Sequence, residues 1–113
     1  MAHQFVLEIY EKTEFFPKHE LYGIVSQLRR AAVSVPTNLV EGYSRNTKKG
    51  FINFLTISIG SLAECEYLME LSRDLQYLNM TAYDSLESLR KQVSVALYRF
   101  RESQRKISDH TVE

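Results

Sequence analysis

The chain has few of the residues that make turns or cross-links: four glycines, two prolines and one cysteine in 113 residues, with no tryptophan. So few glycines and prolines argue against a β-sandwich or barrel, whose many turns depend on these residues. A lone cysteine provides no metal-ligand cysteine pair. Cys65 falls in an apolar helical register, and we interpret it as a small buried hydrophobe.

Long hydrophobic runs are also missing. No apolar stretch reaches the roughly 18 residues that a membrane-spanning helix needs, and the first residues, MAHQFVLEIYEK, do not resemble a signal peptide. Hydrophobic residues make up 44% of the chain and charged residues 25%, which is typical of a soluble globular protein. We therefore expect a single domain over residues 1–113, located in the cytoplasm and without a membrane partner.

The chain carries no net charge, since 14 basic residues balance 14 acidic ones. This balance argues against strong nonspecific nucleic-acid binding by the chain as a whole. The charges nevertheless lie in blocks. Residues 29–49 and 90–106 are mainly basic, whereas residues 64–87 are mainly acidic. Neutrality therefore arises by cancellation between segments, and it is compatible with a local basic surface.

Apolar residues recur every three or four positions in four segments, which indicates four amphipathic helices. Their expected bounds are about residues 3–15, 20–44, 47–76 and 81–107. Pro17 ends the first helix, and Asn46 or Thr47 is expected to cap the third. Thr81 with Asp84 predicts a capping box for the fourth. Because short connections between long helices favour antiparallel neighbours, the sequence predicts an all-α, up-down-up-down four-helix bundle.

A stripe of small residues runs along the third helix. Thr56, Gly60 and Ala63 follow one another at steps of four and three, so they share one face. Glycine in a helix interior costs about 1 kcal/mol relative to alanine, and small side chains allow another helix to approach closely. We expect this stripe to form a subunit contact in a homo-oligomer. The alternative is an exposed face with a tolerated glycine.

In such a bundle, the linker before the third helix and the end of the fourth helix lie at the same end of the molecule. Their basic residues should therefore form one surface, the basic pole. Its members are Arg45, Lys48, Lys49, Arg99, Arg101, Arg105 and Lys106. Basic surfaces suit phosphate backbones, so RNA or DNA is a candidate partner. Alternatively, these cations complement helix C-terminal dipoles, although Lys48 and Lys49 lie at a helix N-terminus, where positive charge is unfavourable.

Polar residues interrupt the second helix at regular spacing. Pro36 removes a backbone donor and should kink the helix. Arg30, Asn38 and Glu41 share a stripe, and Glu64 lies within the apolar register of the third helix. Since a buried charge needs a partner, one interpretation is a buried structural layer that joins these four polar residues. The alternative is a solvent-facing stripe.

No pattern typical of an enzyme is present. The chain has no Glu-x-x-His pair for a di-metal bundle, and no glycine-rich phosphate loop or nucleophile elbow. The three histidines fall near termini or a linker rather than on a core face, and Ser34 and Ser61 lack a histidine base. We expect no catalytic residue, no metal and no cofactor.

Several motifs resemble one bacterial family. They are SQLRRAAVSVP from Ser26 to Pro36, EGY from Glu41 to Tyr43, and GSLAE from Gly60 to Glu64. These runs resemble the four-helix bundle proteins encoded by intervening sequences in bacterial 23S ribosomal RNA genes. The resemblance covers about residues 5–78 in motif and the whole chain in helix pattern. That family is similar to the accessory variability protein of diversity-generating retroelements, which forms a homopentamer and works with a reverse transcriptase and nucleic acid.

The chain departs from the family pattern at two places. Gly50 stands where the family usually has glutamate, which removes a capping box after Thr47, and Ser44 stands where glycine is common. The retroelement relative is strongly basic, whereas this chain is neutral. We expect a non-enzymatic protein that associates with nucleic acid through the basic pole, and the resemblance implies assembly into a pentamer. The alternative is a protein-interaction scaffold without nucleic-acid binding.

Overall fold

The computed structural model describes the backbone of residues 1–111 and the side chains of residues 1–106. Four α-helices and one short 3-10 turn form the described chain, and none of those residues lies in a strand. The helices are α1 (Ala2–Thr13), α2 (Ile24–Tyr43), α3 (Lys48–Asp74) and α4 (Met80–Thr111), and the turn spans Lys18–Glu20. The prediction of an all-α four-helix fold is therefore confirmed.

The contacts between consecutive helices show that they run antiparallel. As residue numbers rise along one helix, the numbers of their partners on the next helix fall. The pairs are Ser34–Ser61 and Val35–Ser58 between α2 and α3, and Arg90–Glu66 and Arg101–Thr56 between α3 and α4. With α1 packed on α2 and α4, the bundle has the predicted up-down-up-down order and measures 55 × 24 × 18 Å. Within the described part of the chain, no helix has the length and apolar character that crossing a membrane requires.

Each helix directs one apolar face towards a common core. The most deeply buried side chains include Phe5 and Ile9 of α1, Leu28 and Val35 of α2, Leu55, Leu62 and Met69 of α3, and Leu86 and Val93 of α4. Cys65 is fully buried in the same core, which confirms its interpretation as a small hydrophobe. Burial raises the pKa of its thiol to about 12, so the sulfur stays protonated at neutral pH.

The α1–α2 and α3–α4 connections close the same end of the bundle, which we call the connection end. α1 ends at Thr13, whose Oγ1 accepts a hydrogen bond from Arg29 Nε of α2 at 2.9 Å. Phe16 then packs its ring on Tyr77, with 5.4 Å between the centroids. Tyr77 Oη donates to Glu20 at 2.8 Å, and this bond lowers the pKa of the Glu20 carboxyl. The two connections therefore hold each other in place.

The junction between α2 and α3 lies at the opposite end. Gly50 N donates to Thr47 Oγ1 at 3.0 Å, so Thr47 is the cap of α3, one of the two predicted candidates. Gly42, in the last turn of α2, faces α3 closely. A Cβ at this position would lie 2.7 Å from Phe54 Cβ, closer than two non-bonded carbons normally lie. A larger residue here would therefore force α2 and α3 to shift.

The start of α4 differs from the sequence prediction. α3 ends before Gln76, whose φ of 66° turns the chain in the left-handed region. α4 then begins at Met80, and Ala82 N donates to Asn79 Oδ1 at 2.8 Å. Asn79 caps the helix, and the predicted capping box at Thr81 is wrong. Thr81 already lies within the first turn, because asparagine is itself a favoured N-cap and comes two residues earlier.

Candidate nucleic-acid interface

A row of three aromatic rings joins α2, α3 and α4 at the end opposite the connections. The Tyr43 and Phe51 rings meet edge to face with centroids 6.0 Å apart, and the Phe51 and Phe100 rings do so at 5.3 Å. Phe51 therefore fixes the last turn of α2 and the later part of α4 against the first turn of α3. This packing brings the two basic segments to one end of the molecule.

The linker contributes Arg45, Lys48 and Lys49. The Arg45 guanidinium lies over the Phe54 ring at 5.0 Å and forms an exposed ion pair with Glu41 at 3.5 Å. Among the described side chains, Lys48 and Lys49 have no acidic partner within 4.0 Å. An exposed ion pair contributes about 1 kcal/mol or less, so Arg45 remains able to exchange Glu41 for a phosphate.

α4 contributes the other four basic residues. Arg101 Nη1 donates to Thr56 Oγ1 of α3 at 3.3 Å, and its guanidinium lies over the Tyr98 ring at 5.1 Å. Arg105 pairs with Glu102 at 3.7 Å, and both side chains are about half exposed. The remaining two, Arg99 and Lys106, are exposed. The seven residues of the predicted basic pole thus lie on the later part of α4 and at the α2–α3 junction that packs against it.

Arg90, which belongs to the second basic block of the sequence, does not face solvent. It is only 7% exposed and lies between α3 and α4. Its guanidinium donates to both oxygens of Glu87 at 2.6 and 2.9 Å, and it pairs with Glu66 at 3.2 Å. The hydrogen bonds lower the pKa of Glu87 and raise that of Arg90. Sequence reasoning missed this cluster, although the spacing of three between Glu87 and Arg90 signals a helical ion pair.

The buried polar layer of Arg30, Asn38, Glu41 and Glu64 is not formed in the structure. Arg30, Glu41 and Glu64 are exposed, and no described hydrogen bond or ion pair joins any two of the four residues. Glu64 points outward because the rotation of α3 places its neighbours Leu62 and Cys65 in the core instead. The alternative of a solvent-facing stripe is correct for Arg30 and Glu41 of α2, and Glu64 of α3 is also exposed.

Small hydroxyl side chains provide the polar contact between α2 and α3. Ser34 Oγ and Ser61 Oγ lie 2.8 Å apart, and Asn38 Nδ2 donates to Ser34 Oγ at 2.8 Å. Ser58 Oγ donates to the Val35 carbonyl at 2.9 Å, next to Pro36 in the α2 interior. Ser34 and Ser61 are thus bonded to each other across the contact between α2 and α3.

The stripe of Thr56, Gly60 and Ala63 lies on the exposed face of α3. A Cβ at Gly60 would have no described atom within 4 Å beyond its own helix turn. Thr56 Oγ1 donates to the Ile52 carbonyl at 3.0 Å and accepts from Arg101. In the isolated chain, this face therefore leaves room for a second helix, and its edge touches the basic pole.

The helices, the core and the surface charges define the class of this protein: an all-α, up-down-up-down bundle with a basic end. Its sequence matches the model of the 23S rRNA-intervening sequence protein family over residues 1–99, and the chain belongs to that family.

The same fold is seen in a protein of unknown function from the S23 ribosomal protein family of Bacteroides thetaiotaomicron VPI-5482. The two chains are 22% identical, the match covers 89% of this chain and 91% of that one, and the TM-score is 0.83. No curated protein matches the sequence. The predicted family and fold are confirmed.

Proposed function

We propose that this protein is a self-assembling, non-enzymatic bundle that binds the phosphate backbone of RNA or DNA through its basic pole. The observation that carries the proposal is the packing of Phe51 on Phe100, which joins the α2–α3 junction to the later part of α4. Seven basic residues are thereby gathered at one end, where two acidic side chains, Glu41 and Glu102, pair with them. A locally positive surface of this kind attracts polyanions even when the whole chain is neutral.

Assembly is the second part of the proposal. Thr56, Gly60 and Ala63 form the subunit contact, and five copies form a ring, as in the accessory variability protein of diversity-generating retroelements that the family resembles. A ring would repeat the basic pole on one rim, which multiplies the number of phosphates held at once. The exposed position of all three residues and the open space at Gly60 support this part.

The test is the salt dependence of nucleic-acid binding, measured by fluorescence anisotropy with a labelled RNA and a labelled DNA of mixed sequence. Wild-type affinity should fall steeply between 50 and 200 mM salt, by about tenfold or more if several phosphates are contacted. The double variant Lys48→Glu with Arg101→Glu should bind at least tenfold more weakly at low salt and show a shallower salt slope.

The matched control is Lys18→Glu with Arg30→Glu, which makes the same change in net charge at exposed positions outside the basic pole. It should bind within about twofold of wild type. An equal loss in both double variants would mean that net charge matters rather than the basic pole. If affinity does not change with salt or in either double variant, the proposal is refuted.

A second candidate function, a scaffold for another protein, is favoured by the connection end. Phe15 is 91% exposed and Tyr22 is 93% exposed there, and Leu75 and Met80 are about half exposed. Clustered exposed apolar side chains often mark interaction surfaces. A pull-down from the native host with and without nuclease separates the two functions. Partners lost with nuclease favour nucleic acid, whereas partners retained with nuclease but lost in Phe15→Ser with Tyr22→Ser favour the scaffold.

A further inference from the structure

We infer that the basic pole takes single-stranded nucleic acid, with unpaired bases stacking on Tyr43 and Phe100 while the surrounding cations hold the phosphates. The inference rests on the proposed function and names its ligand class more narrowly. A purely electrostatic surface would bind single strands and duplexes alike, whereas exposed aromatic rings can act only on bases that are not paired inside a duplex.

The exposure of the rings carries the argument. Tyr43 is 79% exposed and Phe100 is 40% exposed, although both belong to a contiguous aromatic row. The Phe51 ring between them meets each at an interplanar angle of 84°. Edge-to-face packing differs from stacking, in which the faces of two rings cover each other. The exposed fractions leave most of Tyr43 and a smaller part of Phe100 accessible to another flat group.

Charge is placed where a strand lying on these rings would need it. A surface cleft of about 220 Å³ is lined by Tyr43 and Phe51 together with Arg45 and Lys48. The exposed Tyr43 ring therefore has two cations beside it in the same cleft. Aromatic faces alternating with cations are typical of single-strand binding surfaces, because stacking tolerates any base and the cations follow the backbone.

The chain offers a direct probe of stacking, because it contains no tryptophan. Tyr43→Trp would introduce a single fluorophore at the proposed platform, and the exposed site should accept it without unfolding. Adding a 12-nucleotide oligo-U or oligo-dT should quench this tryptophan and shift the emission, whereas a 12-base-pair duplex should leave it nearly unchanged. The control Tyr22→Trp, at a position of the connection end that is even more exposed, should respond to none of the three nucleic acids.

Affinity completes the test. Tyr43→Leu should weaken oligo-U and oligo-dT binding about tenfold, the effect of losing one stacked base, while Tyr43→Phe should stay within about twofold. Tyr22→Leu should have no effect. Equal affinity of oligo-U and oligo-dT would mean that the ribose is not read, and a preference would assign RNA or DNA.

The two proposals fail in different ways. If single strands and duplexes bind alike and Tyr43→Leu changes nothing, while Lys48→Glu with Arg101→Glu still abolishes binding, the stacking inference is overturned and the basic pole stands. If no nucleic acid binds wild-type protein even at low salt, both proposals are overturned.

Discussion

Two glycines within helices, Gly42 in the last turn of α2 and Gly60 in the interior of α3, have opposite surroundings. Gly42 is buried, with the Phe54 Cβ and the Phe51 ring where its own Cβ would be. Gly60 is exposed and has no described neighbour within 4 Å of that position outside its own helix backbone. Replacing glycine by alanine should therefore change the free energy of unfolding in opposite directions at the two sites. The comparison separates the effect of helix propensity from the effect of packing, since only one methyl group is added.

We predict that Gly42→Ala lowers the free energy of unfolding by about 1–2 kcal/mol, because overpacking against Phe54 outweighs the gain in helix propensity. Gly60→Ala should instead raise it by about 0.5–1 kcal/mol. Urea denaturation followed by circular dichroism at 222 nm measures both. A stabilising Gly42→Ala would show that α2 and α3 can separate at no cost.

Arg90 is the residue whose charge is most buried, and its partners depend on it. We predict that Arg90→Met lowers the free energy of unfolding at pH 7 by about 2–4 kcal/mol, since it leaves the Glu87 carboxylate without its bidentate donor. The exposed pair of Arg105 with Glu102 gives a matched control: Arg105→Met should cost less than about 1 kcal/mol. Similar losses in the two variants would contradict the special role of Arg90.

The same cluster predicts a pH dependence. Arg90 lowers the pKa of Glu87 in the folded protein, so the folded state binds fewer protons than the unfolded chain in the acid range. Its contribution is complete above the ordinary titration range of glutamate, near pH 4, and is lost as the pH falls through the folded-state pKa. Melting temperatures from pH 7 to pH 3 should fall more for wild type than for Arg90→Met. If the melting temperatures of wild type and Arg90→Met fall in parallel with pH, the pH dependence does not come from the Arg90–Glu87 pair.

At the scale of the element, the start of α4 offers a clean comparison between two neighbouring polar residues. We predict that Asn79→Ala lowers the free energy of unfolding by about 1 kcal/mol, because the Ala82 amide loses its acceptor. Thr81→Ala should change it by less than about 0.5 kcal/mol, since Thr81 is exposed in the first turn. Chemical denaturation of the two variants measures both changes in the free energy of unfolding. A larger effect at Thr81 would restore the capping box expected from the sequence.

α2 and α3 form the contact on which the candidate site depends. Gly42 lets the end of α2 approach Phe54, and Phe51 then carries the ring of Tyr43 on one side and that of Phe100 on the other. The basic pole is therefore positioned by apolar packing. Lys48 and Lys49 have no acidic partner among the described side chains, so their charges can be reversed with little effect on the bundle, whereas Arg101 also bonds Thr56 of α3.

At the scale of the whole molecule, the stripe on α3 predicts an assembly. Gly60→Leu should reduce the subunit number measured by light scattering, because a large side chain would keep a second helix at a distance, while helicity stays unchanged. Gln4→Leu, an exposed change on α1, should leave the assembly intact and controls for added surface hydrophobicity. If Gly60→Leu has the same subunit number as wild type, the proposed subunit contact is wrong.

Much of the architecture could be predicted from the sequence. The apolar period located four helices, the linker offered Asn46 or Thr47 as the cap of α3, and the motifs around Pro36 and Gly60 indicated the family. The candidate site was predictable in part. The seven cations follow from chain order and antiparallel topology, but the aromatic row could not be foreseen, since Tyr43, Phe51 and Phe100 lie on three different helices and read as ordinary apolar positions.

The sequence by itself determined which side chains share a face of each helix, because the helical period is a property of the backbone. Only the tertiary structure decided how far each helix is rotated about its axis against its neighbours. That rotation turned Glu64 outward, although its sequence position predicts burial, and it turned Arg90 inward. It also joined Phe51 to Phe100, so that two basic segments far apart in the chain lie at the same end of the bundle.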